Sequence, residues 1–147
     1  MTPITGGCLC KRVRFEITAQ PMVMRLCWCR DCQYWASGNA TVNLVFPSNA
    51  IRIQGEPRDY QSVAQSGNRM HRRFCPDCGT HLFSESEARP HLIIVRNGAL
   101  DDTALLKPSA TIWTSSAPDW AWIDETLPQH AGQPTPVVPA PSEQTGK

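Results

Sequence analysis

The sequence predicts a mainly β fold: a small, zinc-stabilised domain of short antiparallel sheets with few short helices. Apolar and polar residues alternate with a period of two over residues 13–18 and 41–46, as expected for strands with one buried face. All seven cysteines fall into three tight groups, a pattern typical of metal ligation in a chain without a secretory signal. A core of this size gains stability from a bound metal.

The remaining elements follow from short segments separated by Pro, Gly, Asn and Ser. Further strands are predicted at 22–26, 51–54, 58–62, 69–74, 81–84 and 91–96. A short helical turn is predicted at 31–36, and a second near 100–105. Residues 1–131 form the predicted zinc-binding domain, and the proline-rich residues 132–147 are predicted to be a disordered tail.

Composition limits the classes of partner and the compartment. The formal net charge of +1 gives no electrostatic reason to expect nucleic acid or an anionic membrane as a partner. The basic run at 69–73 is a weak indication of nucleic-acid binding for the same reason. No signal peptide or apolar membrane span is visible in the sequence. An odd number of cysteines without such a signal predicts thiolate ligands in a reducing compartment, so we expect a cytoplasmic location.

The strongest local motif is Cys75-Pro76-Asp77-Cys78-Gly79. A Cys-x-x-Cys turn brings two sulfurs close to one metal ion. Pro76 favours the turn, and Gly79 permits the positive φ that often follows the second ligand. A redox dithiol is the competing interpretation, but the motif lacks the surrounding βαβ pattern that such a site requires.

The pair Cys8 and Cys10 precedes the first alternating segment. Residues i and i+2 of a strand share a face, so both sulfurs can approach one ion. The pair is weak evidence alone, but it completes a four-sulfur set with Cys75 and Cys78. Such a closed site is typical of structural zinc.

The third group, Cys27, Cys29 and Cys32, contains three sulfurs and no fourth cysteine. Three protein ligands leave one coordination position for chemistry. Water, a substrate or a histidine is expected to complete the site. The candidate histidines are His71, His81 and His91.

These motifs, in this order, resemble the glutathione-dependent formaldehyde-activating enzymes, which are zinc-binding carbon–sulfur lyases. The resemblance extends from about residue 6 to residue 132. The matching residues are Gly7-Cys8-x-Cys10 with Val13-Arg14-Phe15, Cys27-x-Cys29-x-x-Cys32, Phe74-Cys75-Pro76-x-Cys78-Gly79-Thr80 with Leu82-Phe83, Gly98-Ala99-Leu100-Asp101-Asp102, and Ile112-Trp113-Thr114.

The resemblance implies a β-tent zinc fold and the same division of the cysteines. One Zn²⁺ would be structural and a second would be catalytic, in a reaction that joins glutathione and formaldehyde into S-(hydroxymethyl)glutathione. One departure is Trp28, which stands where many members have histidine. The structural ligands would be Cys8, Cys10, Cys75 and Cys78, and the catalytic ligands would be Cys27, Cys29 and Cys32.

The leading hypothesis is therefore a lyase acting on a thiol/aldehyde adduct. The chain is expected to be a monomer or a homodimer that binds a small thiol such as glutathione. The alternative is a non-catalytic zinc-binding or interaction module in which both metal sites are structural. Candidate partners for substrate carboxylates are Arg30, Arg69 and Arg96, and candidate pocket aromatics are Trp28 and Trp35.

Overall fold

Short strands make up most of the ordered chain, as the alternating pattern predicts. The computed structural model describes residues 1–135, and most of the predicted tail (136–147) lies outside them. One α-helix occurs in the described part, α1 (Arg30–Trp35), and no helix there has the length and apolarity needed to span a bilayer. The strands are β1 (Ile4–Gly7), β2 (Arg14–Ile17), β3 (Val23–Cys27), β4 (Thr41–Pro47), β5 (Ile51–Gln54), β6 (Arg58–Val63), β7 (Arg69–Phe74), β8 (His81–Ser86), β9 (Leu92–Arg96), β10 (Ala110–Ile112) and β11 (Gln129–His130).

The strands form two sheets. The smaller is antiparallel, in the order β1-β2-β5, and the larger has the order β11-β10-β3-β4-β9-β8-β7-β6. The larger sheet is mixed, because β10 runs parallel to both β3 and β11. The mainly β prediction is therefore confirmed, with this departure from purely antiparallel sheets.

The hydrophobic core lies between the smaller sheet and one face of the larger one. Phe15 of the smaller sheet packs edge-on against Phe83 of β8, with ring centroids 5.2 Å apart. Leu44 and Phe46 of β4 are fully buried on the same side. Their burial accounts for the period of two in this segment.

The opposite face of the larger sheet is also largely covered. Asn43 and Val45 of β4 are buried there, although they alternate with the core residues. Asn43 pairs with Arg25 on β3 and with Arg96 on β9, so these three residues form one row across the sheet. This second face carries the cavity described below.

Two segments differ from their predictions. Residues 100–105 form turns rather than a helix, because Leu100 is extended and bridges to Gly6. The Asp101 carboxylate is bound there by Arg14, at 2.5 and 3.0 Å, and by the Thr5 hydroxyl. The strands β1, β10 and β11 were not predicted, because β1 contains two glycines, which are rare in strands, and β10 and β11 have only three and two residues.

Candidate metal centres

Four cysteines from distant parts of the chain meet at one point. Their sulfurs all lie within 4.8 Å of one another. The Cys8 and Cys10 sulfurs are 3.5 Å apart, and those of Cys10 and Cys75 are 3.7 Å apart. Four sulfurs at about 2.3 Å from a tetrahedral zinc would be separated by about 3.8 Å. The spacing of Cys8, Cys10, Cys75 and Cys78 therefore fits zinc.

Two tight turns hold these sulfurs. Cys75 and Cys78 lie in the turn after β7, where Gly79 has the predicted positive φ, 75°. Cys8 and Cys10 lie in the turn between β1 and β2, not on a strand face as predicted. Lys11 adopts a left-handed conformation there, with φ 66°, which reverses the chain within a few residues. Each pair of ligands is therefore presented by a turn.

Thr80, which the family resemblance includes without a role, joins the two turns. Its hydroxyl accepts a hydrogen bond from the Leu9 N–H at 3.1 Å and lies 3.2 Å from the Cys78 sulfur. Hydrogen bonding from Thr80 lowers the pKa of Cys78 to about 5. The Val13 N–H also donates to the Cys8 sulfur, at 3.3 Å. These contacts favour the thiolate forms that metal binding requires.

The second group lies where β3 leads into α1. Cys27 is the last residue of β3, Cys29 caps the N-terminus of α1, and Cys32 lies in its first turn. The Cys32 N–H donates to the Cys29 sulfur at 3.4 Å. Buried Gln33 fixes the start of the helix, because its amide donates to the carbonyls of Trp28 and Ser116. All three sulfurs lie within 4.8 Å of one another and can hold a metal ion.

The three buried sulfurs differ in their affinity for protons. Hydrogen bonds from the Cys27 and Cys29 thiols, with the nearby Arg96 guanidinium, lower the pKa of Cys32 to about 2. Hydrogen bonding and burial raise the pKa of Cys27 well above its ordinary value. Arg96 is buried and donates to Asn43 and to the Ser84 hydroxyl. Its fixed positive charge partly offsets the negative charge of this cysteine group.

The three-cysteine group opens into a cavity of about 120 Å³, whereas the four-cysteine group does not line it. The walls are mainly apolar side chains, including Val45, Met70 and Ile94. Residues 64–66, in the hairpin between β6 and β7, form part of the rim. Four arginines belong to the polar lining: Arg25, Arg72, Arg89 and Arg96. Among residues 1–135, no Asp, Glu or His lines the cavity.

The three histidine candidates do not join the three-cysteine group. His71 lies between two carboxylates, 2.6 Å from Asp59 and 2.9 Å from Glu87. His81 accepts a hydrogen bond from Arg96 Nε at 3.2 Å, and burial lowers its pKa to about 3. His91 is exposed beyond the far end of β8.

Of the predicted carboxylate partners, Arg96 alone lines the cavity. Arg30 instead bonds to the Gln33 side chain, and Arg69 is exposed on β7. The sequence analysis missed Arg25 and Arg89. A signal for Arg25 was present, because it precedes Cys27 by two residues and therefore shares its strand face.

Neither predicted pocket aromatic lines the cavity. Trp28 is 2% exposed and packs edge-on against Trp120, with ring centroids 6.3 Å apart. Trp35 stacks on His81 at 4.5 Å and lies near Tyr60. The backbone N–H of Trp28 donates to the Ile112 carbonyl at 3.0 Å, which joins the segment between Cys27 and Cys29 to β10.

Comparison with known proteins agrees with this arrangement. A family model described as "Glutathione-dependent formaldehyde-activating enzyme" matches residues 3–116, a range that contains all seven cysteines. A crystal structure of a Rhodobacter sphaeroides protein superposes with a TM-score of 0.55 at 19% identity, covering 71% of this chain and 91% of that chain. At that identity the similarity concerns the fold alone. A search of curated proteins found no match.

Proposed function

Because the chain belongs to the glutathione-dependent formaldehyde-activating enzyme family, we propose that it is a zinc-dependent carbon–sulfur lyase. Its reaction would be of the S-(hydroxymethyl)glutathione synthase type, joining a thiol to an aldehyde or reversing that step. The observation that carries the proposal is the contrast between the two cysteine groups. One is complete with four sulfurs, and the other presents three sulfurs to a cavity.

Each group has its own part in the proposal. Cys8, Cys10, Cys75 and Cys78 would hold a structural zinc, and Cys27, Cys29 and Cys32 would hold a catalytic one. When bound at the three-cysteine site, zinc supplies a positive charge that favours the thiolate form of a substrate thiol.

The reaction exchanges bonds at one sulfur and one carbonyl group. In the forward direction the S–H bond breaks, a bond forms between sulfur and the carbonyl carbon, and the carbonyl oxygen gains a proton. The described cavity lining contains no carboxylate or imidazole, so the protons exchange with water. The apolar walls, Val45, Met70 and Ile94, limit the number of water molecules beside the reacting atoms.

The chain's polar groups hold this arrangement in place. Arg96 remains beside the thiolates because Asn43 and Ser84 accept its hydrogen bonds. Gln33 fixes the backbone around Trp28, and therefore the spacing between Cys27 and Cys29. The binding geometry for a thiol is thus preorganised rather than formed by substrate.

The proposal is tested by metal content and thiol binding. We expect two zinc ions per chain, one for each cysteine group. We also expect calorimetric binding of glutathione but weaker binding of S-methylglutathione, which lacks a free thiol. The Cys29→Ser variant should stay folded and lose this preference. Equal binding of both compounds by the zinc-loaded wild type would instead favour the alternative, a non-catalytic module with two structural metals.

A further inference from the structure

Two arginines of the cavity have no anionic partner in the part of the chain that the structure describes. Arg25 lies on β3, and Arg89 lies in the connection between β8 and β9. Both are half-buried, and neither guanidinium makes a hydrogen bond or ion pair within residues 1–135. In the same cavity Arg72 pairs with Asp31 at 3.2 Å. The cavity therefore contains two guanidinium groups that are not paired with an anion among the described residues.

Both arginines line the same cavity as the three-cysteine group. Arg25 also lies two residues before Cys27 on one strand face, which places their Cα atoms about 7 Å apart. A ligand that reaches the three-cysteine group can therefore extend to the guanidinium groups.

A buried hydroxyl supports the same conclusion. Ser86 lines the cavity and is 6% exposed, but its Oγ has no hydrogen-bond partner among the described residues. The backbone N–H of Arg89 donates to the backbone carbonyl of Ser86 at 3.0 Å, so both residues belong to one turn. Buried polar groups are nearly always satisfied, so an unpartnered hydroxyl here indicates a missing acceptor or water.

We propose that Arg25, Arg89 and Ser86 form an anion subsite that binds a carboxylate of the thiol substrate. This proposal rests on the proposed function, because it names the substrate class of the same cavity. A carboxylate accepts hydrogen bonds from guanidinium and hydroxyl donors and separates the two positive charges. A cavity of about 120 Å³ accepts on the order of ten water molecules. It therefore suits a small carboxylate-bearing thiol, or the thiol-bearing part of a larger one.

A matched pair of thiols tests the subsite on the zinc-loaded chain. Mercaptopropionate carries a carboxylate, and mercaptopropionamide replaces it with a neutral amide of similar size. Calorimetry at low ionic strength should give about tenfold or greater preference for the carboxylate. The variants Arg25→Gln and Arg89→Gln should bring this ratio close to one while amide binding is retained. Arg52→Gln, which removes an exposed charge from β5, is the control and should keep the wild-type ratio.

The outcomes separate the subsite from the proposed function. Equal binding of the two thiols by the wild type, or an unchanged preference in both variants, would overturn the subsite. If neither thiol binds, the proposed function fails. Glutarate, a dicarboxylate without a thiol, then tests the anion subsite by itself. Glutarate binding by the wild type that is lost in both variants would support the anion subsite. The absence of glutarate binding by the wild type would overturn it. Circular dichroism of each variant checks that it is folded.

Discussion

Replacing Cys75 by serine should destabilise the protein more than replacing Cys32, although both side chains are buried cysteines. Cys10 and Cys75 are 65 positions apart, so the four-cysteine group closes a long loop between the two sheets. The three-cysteine group closes a loop of only five positions, from Cys27 to Cys32. The loss of closure entropy differs between loops of these lengths by about 2 kcal/mol.

This difference sets the expected result. For a chain of this size about 2 kcal/mol corresponds to about 8 °C in Tm. The loss of folding free energy from the metal itself adds to the effect, since structural zinc supplies a large part of the stability of small domains. Differential scanning calorimetry should therefore place the Tm of Cys75→Ser at least about 8 °C below that of Cys32→Ser.

Zinc content measured on the same samples completes the test. Cys75→Ser should lose metal from the four-cysteine group, and Cys32→Ser should retain that metal and remain folded. If Cys32→Ser lowers the Tm as much as Cys75→Ser, the division into a structural and an open site is wrong.

Three further predictions concern the packing between the two sheets and the Arg14–Asp101 ion pair. Gly6→Ala should lower the free energy of unfolding by about 1–3 kcal/mol in a urea titration, because the new Cβ meets the Phe15 ring and a backbone carbonyl; an unchanged midpoint would contradict this packing. Phe83→Ala should cost about 3–5 kcal/mol in the same titration, since it empties a fully buried site; a loss below about 1 kcal/mol would contradict it. Asp101→Asn should lower the Tm at neutral pH but not near pH 2. Arg14 lowers the pKa of Asp101 to about 2 from an ordinary value of 3.8, so this stabilisation is present above 3.8 and lost as the pH falls through about 2; a Tm difference independent of pH would refute the assignment.

The strands were predictable where local pattern and tertiary packing agree. The segments 51–54 and 69–74 coincide with β5 and β7, because turn residues bound them on both sides. The β10 strand was not predictable from the sequence, because its three residues pair in parallel with β3, which lies far away in the chain. The predicted helix near 100–105 failed because a tertiary bridge to Gly6 outweighs local preference there.

The candidate site shows the same limit. The spacing of the cysteines predicted which sulfurs come together, and the structure brings those sulfurs together. Spacing did not predict that Cys8 and Cys10 are presented by a turn rather than by a strand. The predicted carboxylate partners, Arg30, Arg69 and Arg96, did not include Arg25 or Arg89, because a guanidinium's partners depend on side chains from other strands.

By itself, the sequence determined that this chain is mainly β, belongs to its family and carries cysteines in groups of four and three. The strand patterns and the spacing within each cysteine motif are local features, because turn chemistry and ligand spacing operate over a few residues. The tertiary structure decided that the group of three faces a cavity with two arginines that no anion of residues 1–135 pairs with. That arrangement depends on strand register, which aligns Arg25, Asn43 and Arg96 in one row across three strands. Register is set by packing on both faces of the sheet, and no short stretch of sequence contains it.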